Sequence, residues 1–176
     1  VFSVIVFSCG QAPVVQFIEM DQEIAVSSDG KKIASYYFNP ALGKPVLYPV
    51  YSPSGVMMTR HIPPAEGETA DHLHHMGVFF TYENNRKDNF WAVKSEGLPC
   101  IKHIRVTDKK SEPGKGTLST EMHWLSHTGK VLLREERTMV FIPGIRENII
   151  DFTMRLTAVD TVAEFQDTKE GMFAIR

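Results

Sequence analysis

Short apolar runs alternating with polar residues, separated by turn chemistry, occupy most of this chain. The clearest case is 148–158, NIIDFTMRLTA. Ile150, Phe152, Met154 and Leu156 fall on one face, and Ile149, Asp151, Thr153 and Arg155 on the other. Such a strand packs one face on a core and leaves the other in water, as in an antiparallel sheet. Segments 14–20, 23–28 and 31–38 are also rich in β-branched and aromatic residues. Asp29-Gly30 between two of them suits a type I′ hairpin, whose two central residues need positive φ. Segment 46–60 predicts two strands around Ser52-Pro53-Ser54-Gly55, and 76–82 predicts a buried strand. Segments 100–107, 117–126 and 130–142 predict further strands. Loops are expected at 39–45, 61–70, 83–89 and 108–116. No segment sustains a helical period over three turns, and the best helix candidate, Val131 to Met139, reads equally well as strand. About a dozen short strands at regular spacing predict an all-β fold, an antiparallel β-sandwich or a barrel.

Composition narrows the function. Hydrophobic residues make up 43% and charged residues 23%, and the formal net charge is −2 with no long basic run. That balance excludes a nucleic-acid surface, which needs concentrated Lys and Arg. The two cysteines, Cys9 and Cys100, form neither a disulfide framework nor a CxxC zinc motif. Cys9 closes the apolar run VFSVIVFSC, which reads as the tail of a secretory signal ending in a lipobox-like VFSC. The competing reading is a buried first strand with a free thiol. The run falls short of the ~20 apolar residues a spanning helix needs. Residues 1–13 are therefore expected to be a signal remnant and tether, lipidated at Cys9, with the membrane reached only through that anchor. Residues 14–176 are expected to form a single sandwich domain.

The candidate chemistry lies in DHLHHMG, residues 71–77, where three of the seven histidines fall within four positions. Read as extended chain before a strand, the segment puts His72 and His74 on one face and Asp71 and His75 on the other. A same-face H-x-H pair suits a divalent metal, with His72 and His74 as ligands and a third donor from His61, His103, His123, Glu83 or Glu170. The cupin pattern fails, because Val78 and Phe79 occupy its glutamate window. The alternative is proton transfer, with Asp71 orienting a neighbouring imidazole. Histidines under a loop also pack without chemistry, but three together at a loop–strand junction favour a site. Arg60 is a candidate for holding a hydroxylated or anionic substrate. Phe90 and Trp91 suit stacking on a sugar or plugging a core. Lys169 and Glu170 lie in a charge-dense stretch that suits a solvated turn equally well.

KPVLYPVYSPSGVMMTR, DHLHHMGVFFTY, DNFW, GKVLLREERTMVF, IDFTMRLTA and DTKEGMFAIR occur in that order. In this, from about residue 44 onward, the chain resembles a soluble bacterial family labelled "methane oxygenase PmoA". Leu73, where that family usually has proline, and ENNRKDN, in place of a more glycine-containing turn, depart from its pattern. The resemblance implies an envelope or secreted protein, often a lipoprotein, and a chain that continues past Arg176, so that the domain here is incomplete. Without membrane-spanning helices the label is a name and not a mechanism. The resemblance also implies a large sandwich similar to the galactose-mutarotase type, and hence a glycan or other small-molecule substrate. On that reading His72, His74 or His75 is the acid/base, Glu170 the opposing carboxylate, and Arg60, Asp71, Trp91 and Lys169 bind substrate. A metal-dependent oxygenase or hydrolase and a non-catalytic glycan-binding lipoprotein are the other two readings.

Overall fold

The computed structural model describes residues 12–83, 88–92, 97–160 and 162–176. Cys9 and most of the 83–89 turn lie outside them. The described residues form ten strands: β1 (Val15–Met20), β2 (Glu23–Ser28), β3 (Lys31–Tyr37), β4 (Val46–Val50), β5 (Val78–Phe80), β6 (Cys100–Glu112), β7 (Lys115–Leu125), β8 (Val131–Ile142), β9 (Ile149–Ala158) and β10 (Phe173–Ile175). A single 3-10 turn, Pro40–Leu42, is capped by the Asn39 side chain on the Ala41 N–H (2.9 Å). Among the described residues no helix is long and apolar enough to cross a membrane.

Two antiparallel sheets form a β-sandwich, with orders β1-β2-β3-β4-β5-β10 and β6-β7-β8-β9. Asp29 and Gly30 join β2 to β3 with φ of 49° and 75°, as a type I′ turn requires. The main core joins the sheets: Ile24, Val26, Ile33, Tyr36, Leu47 and Val78 meet Leu118, Met139 and Phe141. A second cluster continues it through Phe80, Phe90, Met122, Trp124 and Leu133. The period-two pattern of β9 also holds, with Ile150 and Phe152 against the first cluster and Met154 and Leu156 against the second.

Three expectations change. Residues 108–112 belong to β6 and not to a loop, so the hairpin turn narrows to Pro113-Gly114. β6 is an edge strand that follows β7 through backbone pairing, and its outer end needs no apolar side chains. After β4 only an isolated Tyr51–Met57 bridge forms where a second strand was expected. The 39–45 loop contains the 3-10 turn.

The sandwich interior also holds charge. Glu135 and Arg137 lie on the inner face of β8, 0% and 3% exposed. Glu135 accepts from Arg137 Nε (2.7 Å) and from Trp124 Nε1 (2.8 Å), so both oxygens of the buried carboxylate have a partner.

β5 is buried on both faces. Val78 and Phe80 point into the sandwich, whereas Phe79 points outward, where it packs with Val46, Met76 and Trp91. This third cluster is the floor on which the histidines sit.

Candidate active site

Residues 71–75 are not a strand. The His75 N–H donates to the His72 carbonyl (2.8 Å), closing a turn, and His72 itself has φ of 43°. A left-handed non-glycine residue carries strain and persists only where its surroundings impose it. The turn abolishes the two-face split expected of an extended segment and gathers all three imidazoles. His72 stacks on His75 (5.1 Å between centroids), His74 meets His75 edge-on (4.4 Å), and His72 lies 5.9 Å from His74.

Arg60 imposes the turn. Its Nη1 donates to the carbonyls of Thr69 (2.8 Å) and Asp71 (2.7 Å), and its Nη2 to those of His72 (3.1 Å) and His75 (3.0 Å). Nη1 also lies 3.3 Å from the Asp71 carboxylate. Only the planar, five-donor guanidinium fork reaches this many acceptors at once. The two Nη groups of Arg60 are thus occupied internally, while the side chain also borders the groove beside His74. Asp71 is held from a second side by the Arg176 guanidinium and donates nothing; its other oxygen accepts from His72 Nδ1 (3.0 Å). That hydrogen bond, with the arginine charges, holds the Asp71 carboxyl below its ordinary value. Asp71 therefore bridges His72 and the two arginines.

Backbone bonds fix the frame. The Arg60 N–H donates to the Arg176 carbonyl (3.0 Å), and the Arg176 N–H to the Gly77 carbonyl (2.9 Å). Gly77, with φ of 59°, carries the chain from the turn into β5; a Cβ there would run into the Leu47 carbonyl oxygen of β4.

The electrostatics favour the neutral form of His74 and His75. Burial, reinforced by His75, Lys44 and His72, pushes His74 down to about 4, while the Glu170 charge pulls the other way. Burial, His72 and Lys44 push His75 below its ordinary value, again opposed by Glu170. The His75 Nε2 is buried without a hydrogen-bond partner. Lys44 is 2% exposed; its Nζ donates to the Trp91 carbonyl (2.9 Å) and lies 4.5 Å from the centre of the Phe79 ring. Burial pushes its ammonium down to about 7.

Trp91 is 6% exposed and meets His75 edge-on at 5.3 Å. It and Phe90 are core side chains, not stacking platforms, because the outer cluster and the second core cluster enclose them. Glu170 acts on His74 and His75 through its field, and its carboxylate lies 3.3 Å from the Lys169 ammonium. Lys169 is exposed and points to that partner.

Of the other histidines expected as third ligands, two are hydrogen-bonded elsewhere, His61 to Glu68 (2.9 Å) and His103 to the Tyr36 hydroxyl (3.0 Å), and His123 faces Glu121 at 3.4 Å. Among the described residues no group of three or more His, Cys, Asp or Glu side chains is arranged to hold a metal ion.

A groove of about 690 Å³ opens beside His74 between the 61–64 segment, Leu42, Leu73 and Ala92. Sequence reading missed Lys44, Arg176 and Gly77. Lys44 and Gly77 follow or precede strands in unremarkable contexts, and Arg176 is 105 residues from Asp71.

No curated protein and no solved structure matches the chain. One family model does, across both sheets, the histidine turn and its arginine clasp. It describes a family of unknown function, so neither the methane-oxygenase label nor any activity comes with it. On that match, over residues 23–176, the chain belongs to the family of unknown function (DUF6807).

Proposed function

We propose that the turn at 71–75 is a proton-transfer site, and that the protein is an enzyme acting on an uncharged hydroxylated substrate of the sugar or polyol class. The observation that carries this reading is the three contacting imidazoles, two of which stay neutral at neutral pH. A neutral imidazole has a nitrogen free to accept a proton, which a lysine has near pH 7 only after a large shift; at about 4, His74 is a base of carboxylate strength. His74 borders the groove and is the group placed to take a proton from a bound hydroxyl or carbon acid. The Glu170 carboxylate favours the imidazolium that results. His75, behind it, relays or holds charge, and Asp71 fixes the orientation of His72 as carboxylates fix catalytic histidines. Arg60 acts through the turn and is a positioning residue.

The substrate class rests on the sandwich, on the absence of a free cation at the groove among the described residues, and on the resemblance stated above. A bacterial-envelope location, with a lipid anchor at Cys9, is part of the same proposal and rests on the VFSC motif alone.

The test is turnover of a broad panel of mono- and oligosaccharides and polyols, alongside binding by calorimetry. Wild-type protein is expected to convert at least one binder, and His74→Gln to reduce kcat by about 10²–10⁴-fold with little change in affinity. A ligand bound equally by both proteins and never converted contradicts the enzyme reading. Turnover that depends on added metal and vanishes with a chelator contradicts the metal-free proton-transfer reading.

A further inference from the structure

We infer that the groove beside His74 is a subsite for the apolar portion of an uncharged amphiphile, such as the alkyl or aryl group of a glycoside. The inference deepens the proton-transfer reading, on which the sugar half of the ligand rests.

Three observations carry it. The first is the lining: Leu42, Ile62, Pro63, Pro64, Leu73 and Met76 supply the walls, and His74 is the imidazole at their edge. Leu73 is 60% exposed, at the tip of the turn that Arg60 clasps. It adds an apolar side chain to the groove wall directly beside His74. The second is charge. The basic side chains near the groove are committed: Arg60 to backbone carbonyls, Arg176 to Asp71, and Lys44 to the Trp91 carbonyl, while His61 bonds Glu68. An anionic ligand would lose its hydration with no free cation among the described residues to replace it. The third is that no Phe, Tyr or Trp lines the groove among the described residues. Trp91 is 6% and Phe90 4% exposed, so neither offers a face for a pyranose to stack on. The aliphatic walls instead take a flexible apolar group, and about 690 Å³ lies within the range of sites that enclose small ligands.

The experiment titrates the whole chain with methyl β-glucoside, hexyl β-glucoside below its micelle concentration, and hexanoate. Each added methylene buried is worth about 0.8 kcal/mol, so hexyl should bind on the order of ten- to a hundredfold more tightly than methyl, allowing for partial burial. Hexanoate should not compete. Leu73→Ser should cut the hexyl preference several-fold, and Ala92→Trp, which fills the groove from its exposed rim, should abolish it. Circular dichroism melts confirm that both variants fold. Equal binding of the two glucosides, competition by hexanoate, or an unchanged preference in Ala92→Trp overturns the inference. Turnover that survives loss of the preference removes the groove while leaving the proton-transfer reading. A preference without turnover does the reverse.

Discussion

Arg60 looks like a surface arginine in the sequence and turns out to be the clasp of the site. Its guanidinium satisfies the carbonyls of Thr69, Asp71, His72 and His75, tying both ends of the turn to one side chain. Arg60→Lys keeps the charge but not the fork, and is expected to cost about 2–4 kcal/mol in urea unfolding. In the same variant the three imidazoles should lose their fixed contacts, read as altered histidine ring shifts. Lys44 makes the opposite kind of prediction. Its ammonium is pushed from 10.5 to about 7 in the folded protein, so between those values the unfolded chain binds the extra proton. Stability should therefore rise with pH across that window on its account. In Lys44→Met that rise should flatten, with no loss of stability at pH 7; an unchanged slope would show that Lys44 is ordinarily charged. At this scale the sequence revealed composition but not commitment. Three histidines in four positions are visible as letters, whereas Arg60 facing backbone carbonyls, and Lys44 lying under Trp91, depend on contacts between segments distant in the chain.

The elements were legible wherever period two or turn chemistry acts locally. Asp29-Gly30 and the face assignment of β9 needed nothing beyond neighbouring residues. Residues 71–75 misled for a physical reason: an alternating H-x-H pattern looks extended, but the guanidinium of a residue eleven positions earlier bends it into a turn. Gly77 shows how tightly that turn is coupled to the sheet. Gly77→Ala would force a Cβ against the Leu47 carbonyl and strain a positive φ. A loss of about 2–4 kcal/mol is expected, with disturbed histidine signals; a silent Gly77→Ala would mean that β4 and the turn are not in contact. On β8 the face Leu133, Glu135, Arg137, Met139, Phe141 is buried and carries two charges that pair with each other. Glu135→Gln leaves Arg137 without its counterion inside the sandwich and should cost about 3–5 kcal/mol. The double change Glu135→Leu with Arg137→Met should recover much of it. Equal losses from the single and double variants would show the pair to be uncoupled.

In the whole molecule, two sheets share an inner core while the outer face of β5 carries a second, smaller one. Placing the histidines over that outer cluster gives them burial on one side and a groove on the other. The same placement ties the site to acid stability. His74 is pushed down to about 4 and His75 below its ordinary value, so as pH falls below 6.5 the unfolded chain takes up protons that the folded one refuses. Stability on their account is present above 6.5 and lost toward pH 4. The central claim, that these imidazoles are neutral and held as proton-transfer groups, is tested most directly by NMR titration of the histidine ring nitrogens in the intact protein. The account predicts that His74 protonates near pH 4 and His75 below 6.5. Titration of both at 6.5 or above would contradict it and reduce the turn to a solvated polar patch.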